Sequence, residues 1–258
     1  MRRVIFNQKG GVGKSTITCN LAAISAAQGK RTLVIDLDIQ GNSTHYLLGH
    51  KVTDSDKTIA LFFKDCLSLS LFGGNTVFSM QSIIHQSPFE NLYVIPSHPE
   101  LEPLQGRLES RFKIFKLKEA LETLPDFEAI YIDTPPILNF YSQSALIAAQ
   151  RCLIPFDCDS FAREALYSLM HALKEVKADH NQGLEIEGII VNQFQKQANY
   201  PALLVNELLE EGLPILEAML SQSVKVRESH SVSRPLIYHV PQHKLTQEYL
   251  ALYAELHK

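Results

Sequence analysis

Short apolar runs along the chain alternate with longer stretches in which apolar residues recur every three to four positions. The runs at 4–7, 32–36, 92–96, 129–133, 152–156 and 188–192 are Val- and Ile-rich in several cases, the pattern of strands buried on both faces. Helical spacing predicts helices over 15–28, 104–124, 142–149, 162–179 and 201–211. Such alternation predicts an α/β fold, a mainly parallel twisted sheet with helices on both faces and ligands at the carboxyl ends of its strands. Three runs end in polar residues, Asn7, Asp36 and Asp133, so those ends are where chemistry is expected. A last stripe, Leu245, Tyr249, Leu252, Tyr253 and Leu256, has helical spacing; it fits packing on the sheet or contact with a membrane surface. Its polar face sets Lys244 and Lys258 against Glu248 and Glu255, which lacks the basic character of a membrane-targeting helix, and no stable membrane association is expected. Residues 51–103 are the least regular part. The most apolar stretch, 59–72, is interrupted by Lys64 and Asp65 and falls short of the roughly 20 residues a membrane span requires. With no internal repeat or Ser/Gly-rich linker, residues 1–258 are expected to form a single domain.

Composition narrows the partners. The formal charge of −4 and 24 Lys and Arg against 28 Asp and Glu exclude a global basic field of the kind that coats a polyanion. Cysteines at 19, 66, 152 and 158 have neither the spacing of a zinc or redox site nor the density of a secreted disulfide framework, which fits a reducing cytoplasm. Met1-Arg2-Arg3 leads into only Val4, Ile5 and Phe6 before polar Asn7 and Gln8, so no signal peptide is expected.

The strongest chemical signal lies between the first strand and the first helix, in Lys9, Gly10, Gly11, Val12, Gly13, Lys14, Ser15 and Thr16. Glycines let successive backbone N–H groups face phosphate oxygens, and the following helix adds its positive end. Lys14 is placed for β/γ-phosphates and the Ser15 hydroxyl for magnesium. The general loop pattern asks for Gly where this chain has Gln8, leaving the variant KGGxGK[ST]. Lys9, a second cation five residues before Lys14, makes sense against a highly negative group such as a triphosphate, held by another subunit; a solvated surface lysine is the alternative.

At these residues the chain resembles the ParA/MinD family of deviant Walker ATPases, more closely its ParA (Soj-like) branch. The resemblance implies the three-layer P-loop NTPase fold, ATP and Mg²⁺ as cofactors, and a nucleotide-sandwich homodimer in which Lys9 reaches the partner's ATP. Residues 33–42, LVIDLDIQGN, look like the family's second motif, which implies that Asp38 positions the attacking water and Asp36 lies close to the magnesium shell. Residues 130–136, IYIDTPP, look like its Walker B element, with Asp133 holding magnesium through water. Residues 154–166 resemble a further ParA segment, with Arg163 where an apolar residue is common. Asn192 matches a position near the adenine, while a β-turn Asn remains open. No guanine-reading NKxD string occurs, so ATP is preferred over GTP.

Physics alone supports the carboxylates in part. Asp36 and Asp133 each close an apolar run, where a bare charge is costly unless compensated; Asp at a strand end also serves as a cap or turn residue. Lys225, Arg227 and Arg234 fall in the region that, by the resemblance, contributes to sequence-independent DNA binding by the ATP dimer; converging cations doubled by symmetry suit phosphate contacts. Arg107, Arg111, Lys113, Lys116 and Lys118 alternate with Glu109 and Glu119 and read as a solvated face. The resemblance thus implies a cytoplasmic ATPase, nucleoid-associated when ATP-bound, that partitions plasmid or chromosome DNA with a ParB-like stimulating partner. The alternative is a positioning ATPase for a protein cargo or a division or chemotaxis complex on the nucleoid or membrane. By the resemblance, members that read an operator carry an extra N-terminal domain; with the phosphate loop beginning only eight residues in, no operator-reading helix-turn-helix is expected.

Overall fold

The computed structural model describes residues 1–68, 78–124, 126–158, 162–195, 197 and 199–258. Strands β1 (Arg2–Ile5), β2 (Thr32–Asp36), β3 (His85–Gln86), β4 (Leu92–Ile95), β5 (Ala129–Asp133), β6 (Arg151–Asp157) and β7 (Glu185–Asn192) form one sheet in the order β3-β4-β2-β5-β1-β6-β7. Every pairing is parallel except β3 with β4. Helices are α1 (Lys14–Ala27), α2 (Asn42–Leu48), α3 (Ile59–Leu67), α4 (Leu101–Ser110), α5 (Lys116–Glu122), α6 (Phe140–Ala148), α7 (Ala162–Asp179), α8 (Asn199–Glu210), α9 (Val224–Ser231), α10 (Leu236–His239) and α11 (Lys244–Glu255).

Both faces of the sheet are covered, and alternate residues of each central strand divide between two cores, as the two-residue period of a strand demands. Val4, Leu33, Ile35, Ile130 and Ile132 enter the core shared with α3 to α8. Ile5, Val34, Ala129 and Tyr131 enter the opposite core with α1, α2 and α11. Strands β2 and β5 are buried at every residue, so both run apolar up to the terminal Asp, apart from Thr32 at the start of β2, whose hydroxyl is hydrogen-bonded to Ser25 and the Lys30 carbonyl. The stripe at Leu245, Tyr249, Leu252 and Tyr253 is core, each side chain being buried in the α1-side layer. Among the described residues no helix is long and apolar enough to cross a membrane.

All six expected strands are present. The single helix expected over 104–124 is instead α4 and α5, separated at residues 111–115. Phe112 there takes a positive φ of 53° and Lys113 N–H donates back to the Leu108 carbonyl, a reversal that ends α4. Pro103 lies in the first turn of α4, where its missing N–H costs nothing, so the helix starts before the expected position. Part of the 154–166 segment, residues 159–161, lies outside the described residues, as do 69–72 of the apolar stretch. Arg163, at the start of α7, pairs with Glu207 and Glu211 of α8 and its neighbouring turn, which accounts for a cation where an apolar residue was expected.

The chain leaves β1 toward β2, on one side, whereas β6 and β7 lie on the other. The end of β1 is therefore the topological switch point, where a ligand crevice opens in sheets of this kind.

Candidate nucleotide site

The loop after β1 is held by its own side chains. Asn7 donates Nδ2–H to the Pro155 carbonyl at 2.7 Å and accepts Lys9 N–H on Oδ1 at 2.9 Å. Gly11 and Gly13 have φ of 78° and 90°, conformations that L side chains resist. Lys14 opens α1, is buried, and donates Nζ–H to the Lys9 carbonyl at 2.8 Å. Burial lowers its pKa, an effect opposed by Asp133 and Asp38. The loop and its lysine are thus folded around a point in front of the α1 N-terminus, the geometry that suits an anion.

Three carboxylates converge on the same crevice. Asp36 and Asp133 are in register on neighbouring strands β2 and β5, and both are fully buried. Asp36 Oδ2 accepts the backbone and hydroxyl hydrogens of Thr44 at 2.8 and 2.7 Å, and its Oδ1 accepts Asp38 N–H. Asp133 Oδ2 accepts Ser43 Oγ–H at 2.7 Å, and the hydroxyls of Ser43 and neighbouring Ser15 both favour its ionised form. Asp38 accepts Gln40 N–H on Oδ1. Burial raises the pKa of all three; the charges of Asp133 and Asp38 raise Asp36 further and that of Asp38 raises Asp133, while hydrogen bonds oppose the shift at each and Lys14 opposes it at Asp38 and Asp133. Three buried acids with Lys14 beside two of them form a site short of positive charge.

Hydroxyl and carboxylate oxygens are the donors a hard divalent cation takes. Among the described residues no group of three or more His, Cys, Asp or Glu could cage a metal. Magnesium takes one or two protein oxygens and keeps waters and substrate phosphates in the rest of its shell, and the Ser15 hydroxyl and Asp133 carboxylate are oxygens of that kind.

Beside the loop lies a cleft of about 530 Å³ bordered by Gly13, Thr16, Asn192, Gln193, Arg227 and Tyr249 among others. Asn192, the last residue of β7, donates Nδ2–H to the Val12 carbonyl at 2.9 Å, and Gln193, with φ 55°, donates Nε2–H to the Gly11 carbonyl at 3.2 Å. A Cβ on Gly13 would lie well inside van der Waals contact with Asn192 Nδ2, so a side chain there would displace Asn192 as well as strain the backbone. The sequence-expected residues Lys9 to Thr16, Asp36, Asp38, Asp133 and Asn192 are therefore all at this crevice.

Lys225, Arg227 and Arg234 are spread differently. Lys225 pairs with Glu228 one turn along α9 at 2.6 Å, Arg227 borders the nucleotide-sized cleft, and Arg234 is exposed beyond the end of α9. Ser43, Thr44 and Gln193 were not singled out from sequence. For the first two the available signal was a Ser-Thr pair directly after the QGN string, where hydroxyls commonly bind backbone and carboxylate at a helix start.

The AAA domain family matches residues 3–186. Over 98% of the chain and 87% of its relative, the sequence is 34% identical to the chromosome partitioning protein ParA of Myxococcus xanthus. The chain belongs to the ParA/MinD family of ATPases. This ParA-type chain is also 30% identical to the sporulation initiation inhibitor protein Soj of Bacillus subtilis, over 98% of this chain and 96% of Soj. Its fold matches the Cyanothece McdA–ATP complex with a TM-score of 0.84, at 23% identity over 99% of this chain and 96% of that one. The P-loop α/β fold of ParA/MinD ATPases is thus the fold observed here.

Proposed function

We propose that this chain is a magnesium-dependent ATPase that dimerises around ATP, holds DNA without reading its sequence in that state, and releases it after hydrolysis stimulated by a ParB-like partner. The use is partition of plasmid or chromosome copies by a cytoplasmic protein that is nucleoid-associated when ATP-bound. The observation that carries this reading is the meeting of Lys14, Ser15, Asp38 and Asp133 at the ends of β1, β2 and β5, beside a cleft bordered by Asn192.

In this reading the loop N–H groups and Lys14 bind the phosphates of ATP, and Lys9 extends to the nucleotide of a second copy. Ser15 and Asp133 would hold magnesium, with Asp36 close behind; when bound it neutralises charge developing on the phosphates. Asp38 sits beside Lys14, and burial makes its carboxylate a better acceptor for a proton of the attacking water. Asn192, on the cleft wall beside the loop, presents its amide to the base. Hydrolysis of this kind needs placement and charge compensation rather than a covalent nucleophile.

The test is an electrophoretic shift on unrelated DNA with ATP, ADP or no nucleotide, at two salt concentrations. Retention with ATP alone, weakened by salt, is expected. Lys225→Glu with Arg234→Glu should weaken it without affecting dimerisation; Arg227 is spared because its place at the cleft would mix nucleotide and DNA effects. Equal retention without ATP contradicts the switch, and absence of retention together with ATP-dependent capture on a protein cargo or vesicles favours the positioning alternative.

A further inference from the structure

The last turn of α9 is tied to the nucleotide loop through one imidazole. His230 Nε2 lies 3.0 Å from Thr16 Oγ1 in the first turn of α1, and its ring stacks on Tyr46 of α2 with centroids 3.9 Å apart and planes within 16°. Next to it, buried Ser229 shares a 2.8 Å hydrogen bond with the Tyr46 hydroxyl. Asn20, one turn beyond Thr16, donates Nδ2–H to the Thr16 carbonyl and to the Tyr46 hydroxyl. Thr16, Asn20, Tyr46, Ser229 and His230 thus form a polar network joining α1, α2 and α9 inside the α1-side layer. The outer part of α9, Val224, Val226 and Arg227, borders the cleft, and α2 begins directly after the Asp38 turn, with Thr44 on Asp36.

We infer that His230 is a positioning residue that conveys nucleotide occupancy at the phosphate loop to α9, through an exchange of hydrogen-bond roles with Thr16. The chemistry follows from proton counting. The Thr16 hydroxyl has one hydrogen and two lone pairs. Without nucleotide it can donate to an unprotonated Nε2 or accept from Nε2–H. Once a phosphate oxygen takes that hydrogen, only the second arrangement remains, with Nε2–H donating to Thr16 Oγ1. Nucleotide therefore selects the Nε2–H tautomer, the half-buried ring losing the Nδ1 proton to water as Nε2 gains one, and with the Thr16–His230 bond fixed in one direction the last turn of α9, which carries His230, is held more firmly against α1. Burial keeps the imidazole neutral by lowering its pKa, with His45 adding to the effect, so two tautomers are available to exchange.

This inference rests on the nucleotide reading of the loop but not on DNA or any partner. Its test is hydrogen exchange of the 224–231 amides with and without Mg-ATPγS, after binding has been measured with a fluorescent ATP analogue. Wild type should show about fivefold or greater slowing of exchange in 224–231 on binding. His230→Phe keeps a ring on Tyr46 but has no group for Thr16; it should bind nucleotide within about threefold of wild type while the slowing falls below about twofold. His230→Gln, whose amide can either donate or accept at the Nε2 position, should restore much of the response. A wild type that binds nucleotide with no change at 224–231, or a Phe variant that responds like wild type, overturns the inference and leaves the site reading intact. A wild type that binds no nucleotide refutes both. If the Phe variant fails to fold, loss of response in the folded Gln variant likewise counts against tautomer exchange.

Discussion

Replacement of Gly13 by Ala tests the closest approach in the site. At φ 90° an added Cβ costs about 1–2 kcal/mol, the penalty of a left-handed backbone for an L residue. Its second effect is to displace Asn192, whose Nδ2 occupies the space the Cβ would need. Asn192 has only two side-chain torsions, so it can move, but at the loss of its bond to the Val12 carbonyl, worth about 1 kcal/mol. The sum is about 2–3 kcal/mol, and by the usual scaling for a chain of this size the melting temperature should fall by about 5–10 °C. Asn192→Ala alone should cost about 1 kcal/mol. In the double variant there is no amide left to displace, so the total should equal that of Gly13→Ala alone, a coupling of about 1 kcal/mol. Urea unfolding of the four proteins without nucleotide measures it. Strict additivity, with the double variant losing the full sum, would refute the close-approach explanation and leave only backbone strain.

Lys14→Ala should abolish binding of a fluorescent ATP analogue while leaving the fold intact by circular dichroism, because among the described residues no other cation is buried against the loop; unchanged affinity would remove the phosphate-loop assignment. In the folded chain Asp36 and Asp133 titrate above the ordinary carboxylate value of 3.8. From there up through the raised values the native state binds more protons than the unfolded one, and stability without nucleotide or magnesium falls as pH rises. Asp133→Asn should therefore melt higher than wild type at about pH 8 and show a smaller advantage at about pH 5; equal melting at both values contradicts the repulsion described. Arg3 makes two 2.7 Å bonds to Glu187 and a third to the Leu256 carbonyl, with almost no exposure. Arg3→Met should cost about 3–5 kcal/mol by leaving Glu187 buried and unpaired, and adding Glu187→Leu should recover most of it; equal loss in the single and double variants would mean that the Leu256 contact dominates.

The parts of the fold that could be read in the sequence are those whose physics is local. Six apolar runs gave six strands because strands β2 and β5 are covered on both faces, and the glycine loop announced itself because phosphate binding needs a fixed set of residue types within a few positions. Helix α2 escaped notice: its Asn-Ser-Thr start follows directly on the QGN turn and reads as loop, yet Ser43 and Thr44 use those hydroxyls to hold Asp133 and Asp36. Helix α3 lies in the stretch that looked irregular, although Thr58 caps it through its hydroxyl. The break between α4 and α5 depends on Phe112 accepting a positive φ, which periodicity does not register. Contacts between residues remote in sequence were the least legible. Nothing near Arg227 indicates that it borders the same cleft as Gly13, and nothing near Gly13 indicates that Asn192 is packed against it.

The separation between Gly13 and Asn192 also sets when the site comes into being during synthesis. The phosphate loop is made first, but the amide that holds its Val12 carbonyl sits at the end of β7, and much of the cleft wall comes later still, from α9 and α11. A nascent chain that has emerged only through β5 has the loop and all three carboxylates, with no second wall to enclose a base. The cleft is complete only when the last parallel pairing of the sheet has formed, the slow long-range step for such topologies. On the proposed reading, a nucleotide bound there would stabilise the completed sheet and nothing made before it.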